Sequence, residues 1–169
     1  MRKDIETKRL YMRPPSIGNR DEFYEIVKQE EVGKWLAVAR GMLREEAEQY
    51  INQLISHWKQ NGFGVWFLFH KISGELLGHC GLRCIDETEE VEIMYLLNPK
   101  FWGKGYATEA AYATIQYAIY DLKLTTFKAR IKTENMKSRN LLEKIGFTYT
   151  HDRGKNEDTL LHFEYKYVD

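Results

Sequence analysis

The feature that most restricts the fold of this chain is a strand that runs through two glycines into a helix of small residues. Val91 to Leu97 is apolar apart from Glu92 and is closed by Asn98-Pro99. Gly103-Lys104-Gly105 follows, and then Ala107 to Tyr120, in which Ala107, Ala110, Ala111, Ala113 and Ala118 recur. Side chains that short let a helix lie close against a sheet. A strand-to-helix turn also aims backbone N–H groups and the positive end of the helix dipole at one point, where an anion can bind. Glycine lets the main chain approach a phosphate with no Cβ in the way. Two other phosphate loops are excluded. A P-loop needs Ser or Thr after Gly-Lys, where Gly105 stands, and the dinucleotide fingerprint needs glycine where Thr108 stands. From these residues alone, an ordinary turn is as open as an anion site.

The rest of the chain supplies a sheet for that helix. Arg9 to Arg13 alternates like a strand and is stopped by Pro14-Pro15, while 21–32 and Arg44 to Lys59 carry apolar residues at helical spacing. Val65 to Lys71 and Leu76 to Ile85 read as a hairpin around Ser73-Gly74-Glu75. Phe127 to Lys132 is a strand and Asn135 to Lys144 a short helix ended by Gly146. Phe147 to His151 and Leu160 to Tyr167 are closing strands. The order β-α-α-β-β-β-α-β-α-β-β implies an α+β domain over 1–169, with a mixed sheet of about seven strands and about four helices.

Composition narrows the functional classes. Lys plus Arg and Asp plus Glu are both 25, so the net charge is zero and no broad nucleic-acid-binding surface is expected. No apolar run approaches the ~20 residues of a membrane span, and the charges of Met1 to Glu6 are followed by no apolar stretch. A cytoplasmic protein is the expectation. Cys80 and Cys84, if on one strand, lie on one face roughly 13 Å apart, too far for a disulfide. His79 points the other way, and His57, His70, His151 and His162 sit in separate elements, so no metal site is expected.

Lys100-Phe101-Trp102-Gly103-Lys104-Gly105 resembles the pyrophosphate loop of the GNAT acyltransferases, with Lys100 where Arg or Gln is usual. Asn135 to Phe147 resembles the second GNAT signature. Thr7-Lys8-Arg9-Leu10 with Arg13, and Glu92-Ile93-Met94-Tyr95, resemble the RimJ/RimL-like branch. The resemblance covers almost the whole chain in the correct order. It implies a splayed sheet and acetyl-coenzyme A. Its pantetheine would run along the backbone of Leu96 and Leu97, and its pyrophosphate would lie on the amides of Gly103, Lys104, Gly105, Tyr106, Ala107 and Thr108. Lys104 adds charge there or is simply solvated.

Asn135 and Ser138 would lie beside the thiol, although both also suit a helix start. Leu142 stands where many relatives carry a tyrosine acid, so the resemblance assigns thiolate stabilisation to Ser138. Glu92 is the candidate base, because it interrupts an apolar strand whose neighbours would raise its pKa; an edge carboxylate or an Arg-paired one is the alternative. Trp35, between the first two helices, would wall the acceptor pocket or simply fill core.

The function expected is direct acetyl transfer to a primary amine: a protein N-terminus, an amino acid or another small amine. The carboxylates of Asp86 to Glu92 leave a cationic acceptor open, and a homodimer is compatible with the sequence. The alternatives are an acyl-CoA sensor without turnover and a phosphate-binding module unrelated to coenzyme A.

Overall fold

In the computed structural model, which describes residues 4–169, eight strands form one sheet. Met1-Arg2-Lys3, the first part of the charged N-terminal stretch, lies outside those residues. The strands are β1 (Ile5–Glu6), β2 (Leu10–Arg13), β3 (Val65–His70), β4 (Leu76–Cys84), β5 (Val91–Leu97), β6 (Thr126–Lys132), β7 (Thr148–Arg153) and β8 (Leu160–Lys166). Their spatial order is β1-β2-β3-β4-β5-β6-β8-β7. The helices are α1 (Arg20–Val27), α2 (Glu30–Gly33), α3 (Arg44–Asn61), α4 (Tyr106–Tyr120) and α5 (Met136–Lys144).

The α+β class and the mixed sheet are as expected, with one strand and one helix more. β1 is too short for alternation to register. The helix expected over 21–32 breaks at Gln29, which is extended at ψ 129. The chain then doubles back so tightly that a Cβ on Gly33 would lie 1.8 Å from the Arg40 carbonyl oxygen. This return loop carries Trp35 and Leu36.

The sheet has two covered faces. Fully buried Ala110, Ala111 and Ala118 of α4 lie against Trp66, Leu82, Ile93 and Phe127. Trp66 meets Trp58 and Tyr117 edge-on, with centroids 5.4 and 4.9 Å apart. On the other face, Phe23 of α1 and Ile51 of α3 cover Phe67, Leu76 and Leu96. A fully buried Phe or Leu contributes about 1.5–3 kcal/mol, so both layers are strongly held. No residue of β6 or β8 is among the buried apolar residues of the second layer.

The pairing of β5 positions the site. Neighbouring strands are antiparallel except β5 and β6, which are parallel and share a single register pair, Glu92 with Lys128. Beyond it the strands part, which is the expected splay. At the two ends of the β4–β5 ladder, Ile85 N donates to Glu90 O and Asn98 N to Leu77 O. Alternation from those bonds turns the main-chain groups of Glu92, Met94 and Leu96 towards β4, and those of Ile93, Tyr95 and Leu97 towards the gap.

Candidate active site

Two cavities meet at this splay. One, of about 500 Å³, is lined by Leu96 and Leu97, by Phe101 to Gly103 and Gly105 to Thr108, and by the start of α5. The other, of about 510 Å³, is lined by Tyr50, His79, Arg83, Glu92, Met94 and Arg130 among others. Trp35, Leu36, Tyr95, Asn135 and Ser138 line both.

The loop of the first cavity has the conformation its glycines allow. Gly105, with φ +83, is the residue preceding α4, and no side-chain hydrogen bond caps that helix. The first bond of the helix runs from Glu109 N to Gly105 O, so the N–H groups of Tyr106, Ala107 and Thr108 have no acceptor within it. Such donors, at the positive end of a 15-residue helix, fit a diphosphate.

Arg9 braces this loop, a role that sequence spacing does not reveal. Its Nε donates to Glu109 Oε1 at 2.8 Å, its Nη1 donates to Lys104 O at 2.9 Å, and its guanidinium lies 4.1 Å above the Tyr106 ring. Glu109 Oε2 also accepts from Thr7 Oγ1 at 2.6 Å and from Arg9 N at 2.9 Å. Burial alone would raise the Glu109 pKa, but the bonds from Thr7 and Arg9 hold it below its ordinary value. Unpaired, that carboxylate would repel a diphosphate at the same helix end. Arg9→Ala is expected to weaken coenzyme A binding about tenfold, the equivalent of ~1.4 kcal/mol, as read by calorimetry.

Several expected cofactor contacts are redistributed. Lys100 forms an ion pair with Glu75, and neither Lys100 nor Lys104 lines the cavity. The cations that do are Lys34 and Lys137, the latter 4.3 Å above the Trp102 ring. Leu96 lines the cavity, but its main chain is committed to β4, so Tyr95 takes the edge position expected of it. The Leu97 carbonyl already accepts from Trp102 Nε1 at 2.9 Å, which leaves the Leu97 N–H facing the gap.

Asn135 caps α5, its Oδ1 accepting from Ser138 N at 3.2 Å. That bond fixes Ser138 at the junction of the cavities, with no hydrogen bond from its hydroxyl among the described residues. Tyr95 Oη donates to Ser138 O at 3.2 Å, and burial raises its pKa, so the phenol stays neutral. Tyr95 and Ser138 are the two hydroxyls among the residues common to both cavities. Leu142 is fully buried and supplies none.

Glu92 is 2% exposed and accepts from Arg83 Nε at 2.7 Å, Arg130 Nε at 2.7 Å and Arg130 Nη2 at 2.8 Å. Burial pushes its pKa up, but the two guanidiniums outweigh it, and the carboxyl sits below its ordinary value. The expected rise in pKa is therefore corrected. Apolar neighbours do not dominate, because Arg83 and Arg130 arrive from both flanking strands. Trp35 is half-buried at the junction, and its loop is pinned by Lys132 Nζ donating to Lys34 O at 2.7 Å and Leu36 O at 3.1 Å.

Buried His79 pairs with half-buried Tyr50 on the second cavity, Oη to Nε2 2.9 Å, and burial holds His79 neutral with a pKa lowered to about 3. Both cysteines are free. Cys80 lies against Thr114 Oγ1 at 3.4 Å, and burial pushes its thiol up to about 12.

A family model described as an acetyltransferase (GNAT) domain matches residues 9–148. This chain belongs to the GNAT acetyltransferases. As a GNAT enzyme it uses acetyl-coenzyme A as acetyl donor, and the unfilled donors of the Gly105 helix end fit that molecule's diphosphate. It is 31% identical over 152 residues to a Bacillus licheniformis protein named uncharacterized N-acetyltransferase p20, covering 85% of this chain and 81% of that one. It is 30% identical over 169 residues to the FsC-acetyl coenzyme A-N(2)-transacetylase of Aspergillus fumigatus, covering 92% of this chain and 69% of that one. RimL, a ribosomal L7/L12 alpha-N-protein acetyltransferase solved with coenzyme A, shares the fold at a TM-score of 0.82 and 15% identity, over 97% of this chain and 98% of that one. At that identity the likeness is one of fold alone. No helix among the described residues is long and apolar enough to cross a membrane.

Proposed function

We propose that this GNAT enzyme acetylates an α-amine, such as a peptide N-terminus, by direct transfer within one ternary complex. The observation that carries this reading is the meeting of the two cavities at Tyr95, Asn135 and Ser138. A sensor of acyl-CoA would need only the first cavity. Acetyl-coenzyme A, when bound, supplies an acyl group activated as a thioester. The orphan N–H groups of α4 hold its diphosphate end, and the gap-facing N–H of Leu97 is placed to polarise a carbonyl. Ser138, oriented by Asn135, offers a hydroxyl to the sulfur that departs. A thiol with pKa about 8.5 needs only modest help to leave at neutral pH.

Glu92 acts here as a carboxylate ionised at neutral pH that orients Arg83 and Arg130, which departs from a simple base role. With its pKa depressed, it cannot draw a proton efficiently from a lysine-like amine of about 10.4. An α-amine of about 7.7–8.0 is roughly a tenth neutral at pH 7 and needs little help. Mass spectrometry of a mixture of peptides and small amines, incubated with enzyme and acetyl-coenzyme A, should show acetylation at α-amines. The kcat/KM should rise with pH along the acceptor's own titration, with no further limb between pH 5 and 7. Acetylation confined to lysine side chains, or tight coenzyme A binding with no product, would refute the reading.

A further inference from the structure

The second cavity is more cationic than the neutral composition suggests. Arg83 and Arg130 share one carboxylate, Glu92, which leaves a net positive charge at the wall. The other carboxylate on that cavity, Glu46, is held by both Nη atoms of Arg40 at 2.8 and 3.2 Å, and nearby Glu90 by Lys128 Nζ at 2.5 Å. Lys132 is spent on two carbonyls. By contrast, neither Nη of Arg83 nor Nη1 of Arg130 donates a hydrogen bond among the described residues. These side chains are 43% and 26% exposed where they line the cavity. Within Asp86 to Glu92, Glu90 and Glu92 are taken up by these ion pairs and Asp86 acts on Arg130 from outside the lining, so Glu92 is the one carboxylate of that segment on the cavity wall.

We propose that Arg83 and Arg130 form an oxyanion subsite, and that the acceptor is a primary amine carrying a carboxylate or phosphate several bonds from the nitrogen. This deepens the α-amine reading above and rests on it. Guanidinium donors in a fixed fork match such oxyanions in a bidentate manner. Register sets the spacing. Arg83 pairs with Glu92; Arg130, two residues beyond Lys128 on the parallel strand, starts level with Met94 and turns back to donate to Glu92, so both guanidiniums meet at the Glu92 level. The amine must reach Tyr95, three residues along β5 from Glu92, a span of roughly 10 Å at ~3.3 Å per residue. The two charged groups of a free α-amino acid, one carbon apart, cannot bridge it. An acidic side chain or phosphoserine near a peptide's N-terminus can.

The test is steady-state kinetics on matched peptides, with Glu against Gln and phosphoserine against serine at the second and third positions. The charged member of a pair is expected to have at least tenfold higher kcat/KM, chiefly through KM. Arg83→Gln should shrink that ratio to about twofold and Arg83→Lys should restore part of it, with calorimetry on coenzyme A confirming that each variant is folded. A preference for phosphate over carboxylate, or the reverse, supports the subsite and tells the two sources apart. Charged and neutral peptides acetylated within twofold of each other would overturn the subsite and leave α-amine acetylation standing. Failure to acetylate any peptide would overturn the acceptor reading beneath it.

Discussion

Gly105→Val should raise the Kd for coenzyme A by on the order of 100-fold or more while the chain still folds. At φ +83 a β-branched residue is strained by about 1–3 kcal/mol. Relief of that strain rotates the peptide planes that aim the N–H groups of Tyr106 to Thr108. Each hydrogen bond to a charged group is worth about 1.5–3 kcal/mol, so misaiming even one approaches tenfold or more in affinity. The new Cβ would also lie 3.3 Å from Arg9 Nη2, tight enough to disturb the brace on Glu109 and Lys104. Gly105 is exposed and belongs to neither hydrophobic layer, so thermal unfolding should shift far less than binding. Gly103→Ala is the milder comparison: φ is +73, but a Cβ there meets nothing within 4 Å, so about a tenfold loss or less is expected. A Gly105→Val protein with the parent's Kd in calorimetry would remove the diphosphate from this loop.

What the sequence discloses about this loop, it discloses because the causes are local. Strand, glycine turn and alanine-rich helix are consecutive, and so are Asn135 and the helix start it caps. Glu92 is the opposite case. Its environment is set by Arg83, nine residues upstream across a hairpin, and by Arg130, 38 residues downstream on a parallel strand. Neither partner is implied by the pattern of β5, so apolar neighbours alone point the pKa in the wrong direction. The exposed edge of β5 fails for a related reason. Whether Leu96 or Tyr95 turns its main chain to the gap depends on the register with β4, which a one-residue shift would reverse. Arg9 and Lys100 also find their partners, Glu109 and Glu75, far along the chain. Only the folded molecule shows that Arg9 serves the loop and Lys100 does not.

Arg130→Met should be among the more destabilising single changes in this protein, and its cost should depend on pH in a defined direction. Removing one partner of a buried ion pair typically costs about 3–5 kcal/mol, and Arg83 remains, so the lower end is expected. For a chain of 169 residues that is a fall in Tm of about 6–12 °C. The folded pKa of Glu92 lies below its ordinary value of 4.5, so its contribution is complete above that value and is lost as pH falls through the folded pKa. Without Arg130, burial raises the Glu92 pKa, and the carboxyl protonates at a pH where the parent's is still ionised. The difference between parent and variant should therefore be largest at pH 7 and shrink towards pH 4, as measured by urea unfolding at both. Glu92→Leu combined with Arg130→Met should recover much of the loss, because replacing both members of a buried pair by apolar residues is often near neutral. Single-mutant costs that simply add would show that the two side chains do not act as a unit. Recovery of stability with coenzyme A affinity intact, but with no preference left for acidic acceptors, would separate what the Arg–Glu–Arg cluster does for the fold from what it does for the substrate.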